Sequence, residues 1–114
     1  GMAALVRSLR HLQPELGGED FTFVFGMLGN KSLQLLDPLF PLAKRFVFTA
    51  ANSGRLPPMD PRLLASYAQG HGVDAVAYGD IGHALQDAYR TAPICICGSL
   101  YLAGAVKRFG RLNG

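Results

Sequence analysis

Apolar side chains recur along this chain in two rhythms, and the alternation between them sets the expected elements. Met2, Leu5, Val6, Leu9 and Leu12 return at helical spacing with Arg7, Arg10 and His11 opposite, which predicts an amphipathic helix ended by Pro14 and Gly17-Gly18. Residues 21–25, Phe-Thr-Phe-Val-Phe, read as a strand too apolar to have one wet face. A glycine-containing loop, 26–32, leads to a helix carrying Leu33, Leu35, Leu36, Leu39 and Leu42. Pro38 and Pro41 interrupt it, so a kink or two short pieces are expected, capped by Ser32 and re-capped by Asp37. Residues 45–50 form the second expected strand, and 52–58 a turn-rich loop that carries Arg55. Asp60-Pro61 marks a helix start and Gly70 its stop. Residues 73–78 read as a third, weaker strand. Asp80 then caps a helix with Ile81, Ala84, Leu85 and Ala88 inward. The fourth strand, 93–97, runs through Gly98-Ser99 into a last helix with Leu102, Ala103, Val106 and Phe109 on one face.

The order is one helix, then strand–helix four times. Strands that are continuous apolar runs, each followed by a helix, predict an α/β fold: a Rossmann-like, mostly parallel sheet with helices on both faces. A helix with an apolar face normally follows a strand in such a fold, so the sheet's first strand is expected to be missing from the chain. The bare edge left behind would favour self-association.

Length adds one bound: 114 residues hold a single domain, 1–114. The composition, 49% hydrophobic and 17% charged, suits a packed core and excludes disorder. A formal charge of +3 from scattered Lys and Arg gives no stripe for nucleic acid. The longest uncharged stretch, 91–106, contains Gly, Pro and Ser and falls short of the ~20 apolar residues a bilayer demands. No signal peptide is visible, and a cytoplasmic location is expected. Cys95 and Cys97 lie too close along an extended segment to close a disulfide, and a C-x-C pair would need two further ligands to hold a metal.

Candidate chemistry gathers at the expected carboxyl ends of the strands. The loop with Gly26, Gly29, Asn30, Lys31 and Ser32 approaches a phosphate-binding loop but lacks its glycine spacing. Lys31 at a helix start still suits an anion. Gly98-Ser99 repeats the arrangement at the fourth strand, where Ser99 can cap the helix or bind a ligand oxygen; Arg55 can clamp a carboxylate or phosphate. His11, His71 and His83 have no helical-spacing partner. Neither a catalytic constellation nor a metal site emerges from the spacing. On these residues alone, a stand-alone nucleotide- or anion-binding module or an interaction domain stays open.

Several blocks together resemble a known family. Residues 23–31 (Phe-Val-Phe-Gly-Met-Leu-Gly-Asn-Lys), Val47-Phe48-Thr49, Arg55, and Gly98-Ser-Leu-Tyr-Leu-Ala-Gly104 are similar, in order and spacing, to the C-terminal domain of folylpolyglutamate synthase/dihydrofolate synthase, of the Mur-ligase superfamily. Asn30-Lys31-Ser32 stands where the family usually has Asp-Lys-Asp, and the family's Asp-Gly-Ala-His-Asn-Pro block would fall just before residue 1. The resemblance implies a fragment of an ATP-dependent ligase that adds glutamate to dihydropteroate or folates through an acyl phosphate. It implies ATP and magnesium in the parent enzyme, none bound by this fragment, and a missing N-terminal ATPase domain as partner. Arg55, Ser99, Thr49 and Lys31 are its implied substrate or nucleotide contacts, and the piece alone is expected to be inactive.

Overall fold

The computed structural model describes residues 2–50 and 56–98; the expected last helix, Arg55 and Ser99 fall outside them. Four parallel strands form one sheet in the order β3-β2-β1-β4, with β1 spanning Phe21–Gly26, β2 Ala43–Phe48, β3 Asp74–Ala77 and β4 Ile94–Gly98. Every residue of β1 is buried, as its uninterrupted apolar run predicts for a central strand. Its lone polar side chain, Thr22, is satisfied at Thr91: the hydroxyl bonds to the Thr91 carbonyl oxygen and, at 2.9 Å, to Thr91 Oγ1.

Alternation along β1 and β2 divides the core in two. Phe21, Phe23, Phe25, Phe46 and Phe48 face α1 (Met2–Leu12), a 3-10 segment (Leu33–Leu42) and α2 (Pro61–Gly70). Val24 and Val47 face α3 (Ile81–Ala88), against Ala84, Leu85 and Ala88. Right-handed crossovers require this split: the chain steps outward from β1 to β3 under one face and returns to β4 under the other.

Two expectations need correction around residues 33–50. The segment after Ser32 is one continuous 3-10 run, neither a kinked helix nor two pieces. Pro38 and Pro41 remove two amide donors within ten residues, which an α-ladder cannot absorb. Ser32 does cap it, accepting from the Gln34 amide, but Asp37 caps nothing and instead accepts from the Tyr67 hydroxyl at 2.7 Å. β2 then begins at Ala43, two residues before the expected start, because the 3-10 run delivers an already extended Ala43 beside Phe21.

The caps of α2 and α3 fall where the sequence places them. Asp60 accepts from the Arg62 amide at 2.9 Å and Asp80 from the His83 amide at 3.2 Å. A polar latch ties α3 to the sheet: Arg45 donates to both Asp87 oxygens at 2.9 and 3.2 Å, and the Tyr78 hydroxyl donates to Asp87 Oδ2 at 2.5 Å. Cys95 and Cys97 pack on the phenylalanine face as thiols. The Cys97 thiol is raised well above its ordinary pKa by its hydrogen bond to Cys95 and by burial. No helix among the described residues is long and apolar enough to cross a membrane.

Candidate functional site

Open parallel sheets bind ligands beyond the carboxyl ends of the strands, where the direction of connection reverses. Here that reversal lies between β1 and β4. Both strands end there in glycine, Gly26 paired with Gly98. Gly98 has φ +78, and a Cβ on it would overlap the Gly26 carbonyl oxygen and lie 2.9 Å from the Phe25 ring. The crevice is therefore floored by bare backbone that comes too close for any side chain. Gly98→Ala is expected to cost about 1–3 kcal/mol, since it combines a left-handed backbone with a clash. The urea midpoint reads this, and an unchanged value would show that the two strand ends can part freely.

Thr49 stands next along the same edge, its amide donating to the Phe25 carbonyl at 3.0 Å. The side chain is fully buried, and Oγ1 has no hydrogen-bond partner among the described residues. A buried hydroxyl without a partner is a cost to the fold. Thr49→Val, which keeps the shape and removes the hydroxyl, should therefore leave stability unchanged or raise it by up to about 1 kcal/mol. A thermal scan that instead showed a clear loss would mean the hydroxyl is satisfied in solution.

Lys31 lies in the loop after β1, exposed, with its amide donating to Leu28 at 3.1 Å. That loop is stitched to a second one. Gly29 donates to the Pro57 carbonyl at 2.9 Å, Met59 to Met27 at 2.7 Å, and Leu28 and Pro58 form an antiparallel bridge. The strap at residues 56–59 thus brings the stem of the Arg55 loop against the stem of the Lys31 loop. In the sequence the two loops read as separate turns. The available signal was Pro57-Pro58, an extended pair with carbonyls to accept and no amides to donate.

Electrostatics narrow where an anion can sit. The Asp60 carboxyl is held below its usual pKa by the Arg62 side chain and amide, and Asp80 likewise by His83. The first turns of α2 and α3 are therefore already occupied by carboxylates, which disfavours a second anion there. The Lys31 loop, residues 26–32, carries no carboxylate. His71 stacks on Phe40 at 4.7 Å with Nδ1 2.9 Å from the Tyr67 carbonyl, and the His83 ring contacts Asp80, so neither reaches the crevice. Of the four residues singled out from sequence, Thr49 and Lys31 lie on neighbouring loops of the carboxyl edge. Arg55 and Ser99 lie outside the described residues, next to the strap and to Gly98.

Comparison with known proteins follows the same direction. No protein-family profile matches the chain. The dihydrofolate synthetase of Saccharomyces cerevisiae is 29% identical over 118 residues, spanning 93% of this chain and 28% of that protein. The fold is similar to that of Mycobacterium tuberculosis folylpolyglutamate synthase, crystallised with ADP and AMPPCP: the TM-score is 0.70 at 25% identity, over 96% of this chain and 27% of that one. Helicobacter pylori folylpolyglutamate synthetase shares the fold at a TM-score of 0.62 and 15% identity. The chain spans about a quarter of the length of these relatives.

Proposed function

From its kinship with the folylpolyglutamate and dihydrofolate synthases, we propose that this chain is the C-terminal domain of an ATP-dependent ligase that joins glutamate to dihydropteroate or a folate. The observation that carries this reading is the 29% identity to the yeast dihydrofolate synthetase along 93% of the chain. In such a reaction ATP phosphorylates the substrate carboxylate, the glutamate nitrogen attacks the acyl carbon, phosphate leaves and the nitrogen gives up a proton. Among the described residues no three His, Cys, Asp or Glu side chains converge on a metal position. The loop after β1 lacks the glycine spacing of a phosphate cradle. In this reading the rest of the enzyme holds ATP and magnesium.

The chain's own part is to close over that domain, exclude water from a hydrolysable acyl phosphate, and receive glutamate at the carboxyl edge. Ser99 and the bare backbone at Gly26 and Gly98 would hold a carboxylate oxygen, with Arg55 as the charged clamp and Lys31 and Thr49 flanking. Their supports are the switch point between β1 and β4 and the Lys31 loop, which carries no carboxylate.

The experiment is a chimera in which this chain replaces the matching quarter of the yeast synthetase. Glutamate- and dihydropteroate-dependent phosphate release is expected from the chimera and absent from the chain alone. A folded chimera without turnover would overturn the ligase reading, and turnover by the chain alone would overturn its assignment as a fragment. Within an active chimera, Arg55→Ala should raise the KM for glutamate about 10–100-fold and move that for ATP less. Unchanged glutamate dependence would remove Arg55 from the site.

A further inference from the structure

A hollow of about 230 Å³ lies beside α3, between that helix and Tyr78, the residue just after β3. Its lining is polar throughout: Tyr78, His83, Gln86, Asp87 and Arg90. None of these belongs to the β1–β4 crevice or to the Lys31 loop. His83, Gln86, Asp87 and Arg90 are spaced three, one and three residues apart. They therefore share one face of α3 and of the 3-10 turn Tyr89–Thr91 that continues it.

Hydrogen bonding decides which of these groups are left for a ligand. Asp87 is spoken for, since both its oxygens accept from the Arg45 fork and Oδ2 also from the Tyr78 hydroxyl. The His83 ring turns its Nδ1 to Asp80. Arg90 is different: its charge reaches Asp87 and Tyr78 across the hollow without a hydrogen bond to either. Among the lining residues it is the cation with no bonded carboxylate. Its guanidinium has five N–H donors in a plane, and the Gln86 amide adds two. Gln86 and Arg90 stand four residues apart on the helix face, about 5–6 Å between their β-carbons, so both can reach one small group. The two carboxylates nearest that position, Asp80 and Asp87, are already compensated and weaken its attraction for an anion little. A guanidinium fork matches the paired oxygens of a phosphoryl or carboxylate group. The volume falls below the roughly 300–1,000 Å³ of pockets that enclose a whole ligand, so it suits one such group at the end of a larger molecule.

We propose that this hollow is an oxyanion site in which Arg90 and Gln86 together hold a phosphoryl or carboxylate group, with Tyr78 and His83 as its walls. It goes beyond the ligase reading, being separate from the carboxyl-edge crevice, and its binding is read on the chain itself without turnover.

The test is titration of the isotope-labelled 114-residue chain with inorganic phosphate and, separately, with acetate, at fixed ionic strength so that screening stays constant. Saturable shifts of the Gln86 and Arg90 amides and of the Gln86 side-chain amide are expected at millimolar anion. A response to phosphate alone assigns the site to a phosphoryl group, one to acetate alone to a carboxylate, and one to both to either oxyanion. Arg90→Ala, a change at an exposed residue, should weaken binding about tenfold, and Gln86→Ala should weaken it less. Arg62→Ala removes the same charge from α2, where Arg62 is bonded to Asp60, and should leave the affinity unchanged. If the Arg90→Ala spectrum shows a disturbed fold, the Gln86→Ala titration decides. The proposal is overturned if neither anion gives saturable shifts at these amides, if binding persists undiminished in Arg90→Ala, or if Arg62→Ala weakens it as much, which would make it a response to net charge alone.

Discussion

Phe46→Ala should cost the domain about 3–5 kcal/mol, a large share of the roughly 5–15 kcal/mol that holds a typical domain together. Phe46 is fully buried in β2 and sits at the junction of three other rings. Phe23 stacks on it at 5.2 Å, Phe48 at 5.0 Å, and Phe40 meets it edge-on at 5.8 Å. These contacts join β1, β2 and the 3-10 segment, so truncation would leave a cavity bounded by three elements. None can collapse into it without losing its other contacts. Phe46→Leu keeps most of the volume and should cost less, about 1–2 kcal/mol. Urea unfolding checks both, with a lower midpoint and an unchanged slope as the expected signature. A Phe46→Ala midpoint within error of the parent would mean that the ring cluster contributes nothing beyond surface burial.

Asp87→Ala should be the next most damaging change, at about 2–4 kcal/mol. It removes both acceptors of the Arg45 fork and the acceptor of Tyr78, and leaves Arg45 with Asp74 at 3.5 Å. Side-chain exposures of 13% for Arg45 and 15% for Asp87 keep the cost below that of a fully sealed pair. The same latch sets an acid limit. Asp87 is held below the usual carboxylate range, first by Arg45 and then by Tyr78. Its pKa falls on folding, so its contribution is complete above the unfolded value of about 3.9 and fades as pH drops through the lower folded value. Unfolding midpoints should therefore fall more steeply below about pH 4 in the parent than in Asp87→Asn. Parallel acid profiles would place the sensitivity elsewhere.

What the sequence made legible is local. Asp60 and Asp80 were readable as caps because a cap bonds two or three residues onward. β1 was readable because the run Phe-Thr-Phe-Val-Phe leaves no side for water, and it is buried throughout. The 3-10 segment was misread because leucine spacing cannot tell a 3.6-residue from a 3.0-residue turn once prolines thin the ladder. The Arg45–Asp87 latch joins residues 42 positions apart, and nothing in either neighbourhood announces the other. The same holds for the candidate site. Thr49 was visible as a strand end, but its unpartnered hydroxyl is a fact of packing. Lys31 was visible as a loop cation, while the strap that brings its loop to the Arg55 loop is announced by nothing beyond Pro57-Pro58, which does not say which loop it meets.

The strand order also sets a timetable. β1 is central, yet its neighbour β4 comes late: the Thr22–Thr91 contact that closes this side spans 69 positions. At roughly 5–20 residues per second of synthesis, β1 waits about 3–14 s for that partner. Through that interval Phe-Thr-Phe-Val-Phe has one edge unpaired, and a short, uncharged, β-branched and aromatic segment is the kind that pairs with copies of itself. The arrangement that seals the finished sheet most completely makes the nascent chain most dependent on whatever shields it until residue 94 has left the ribosome.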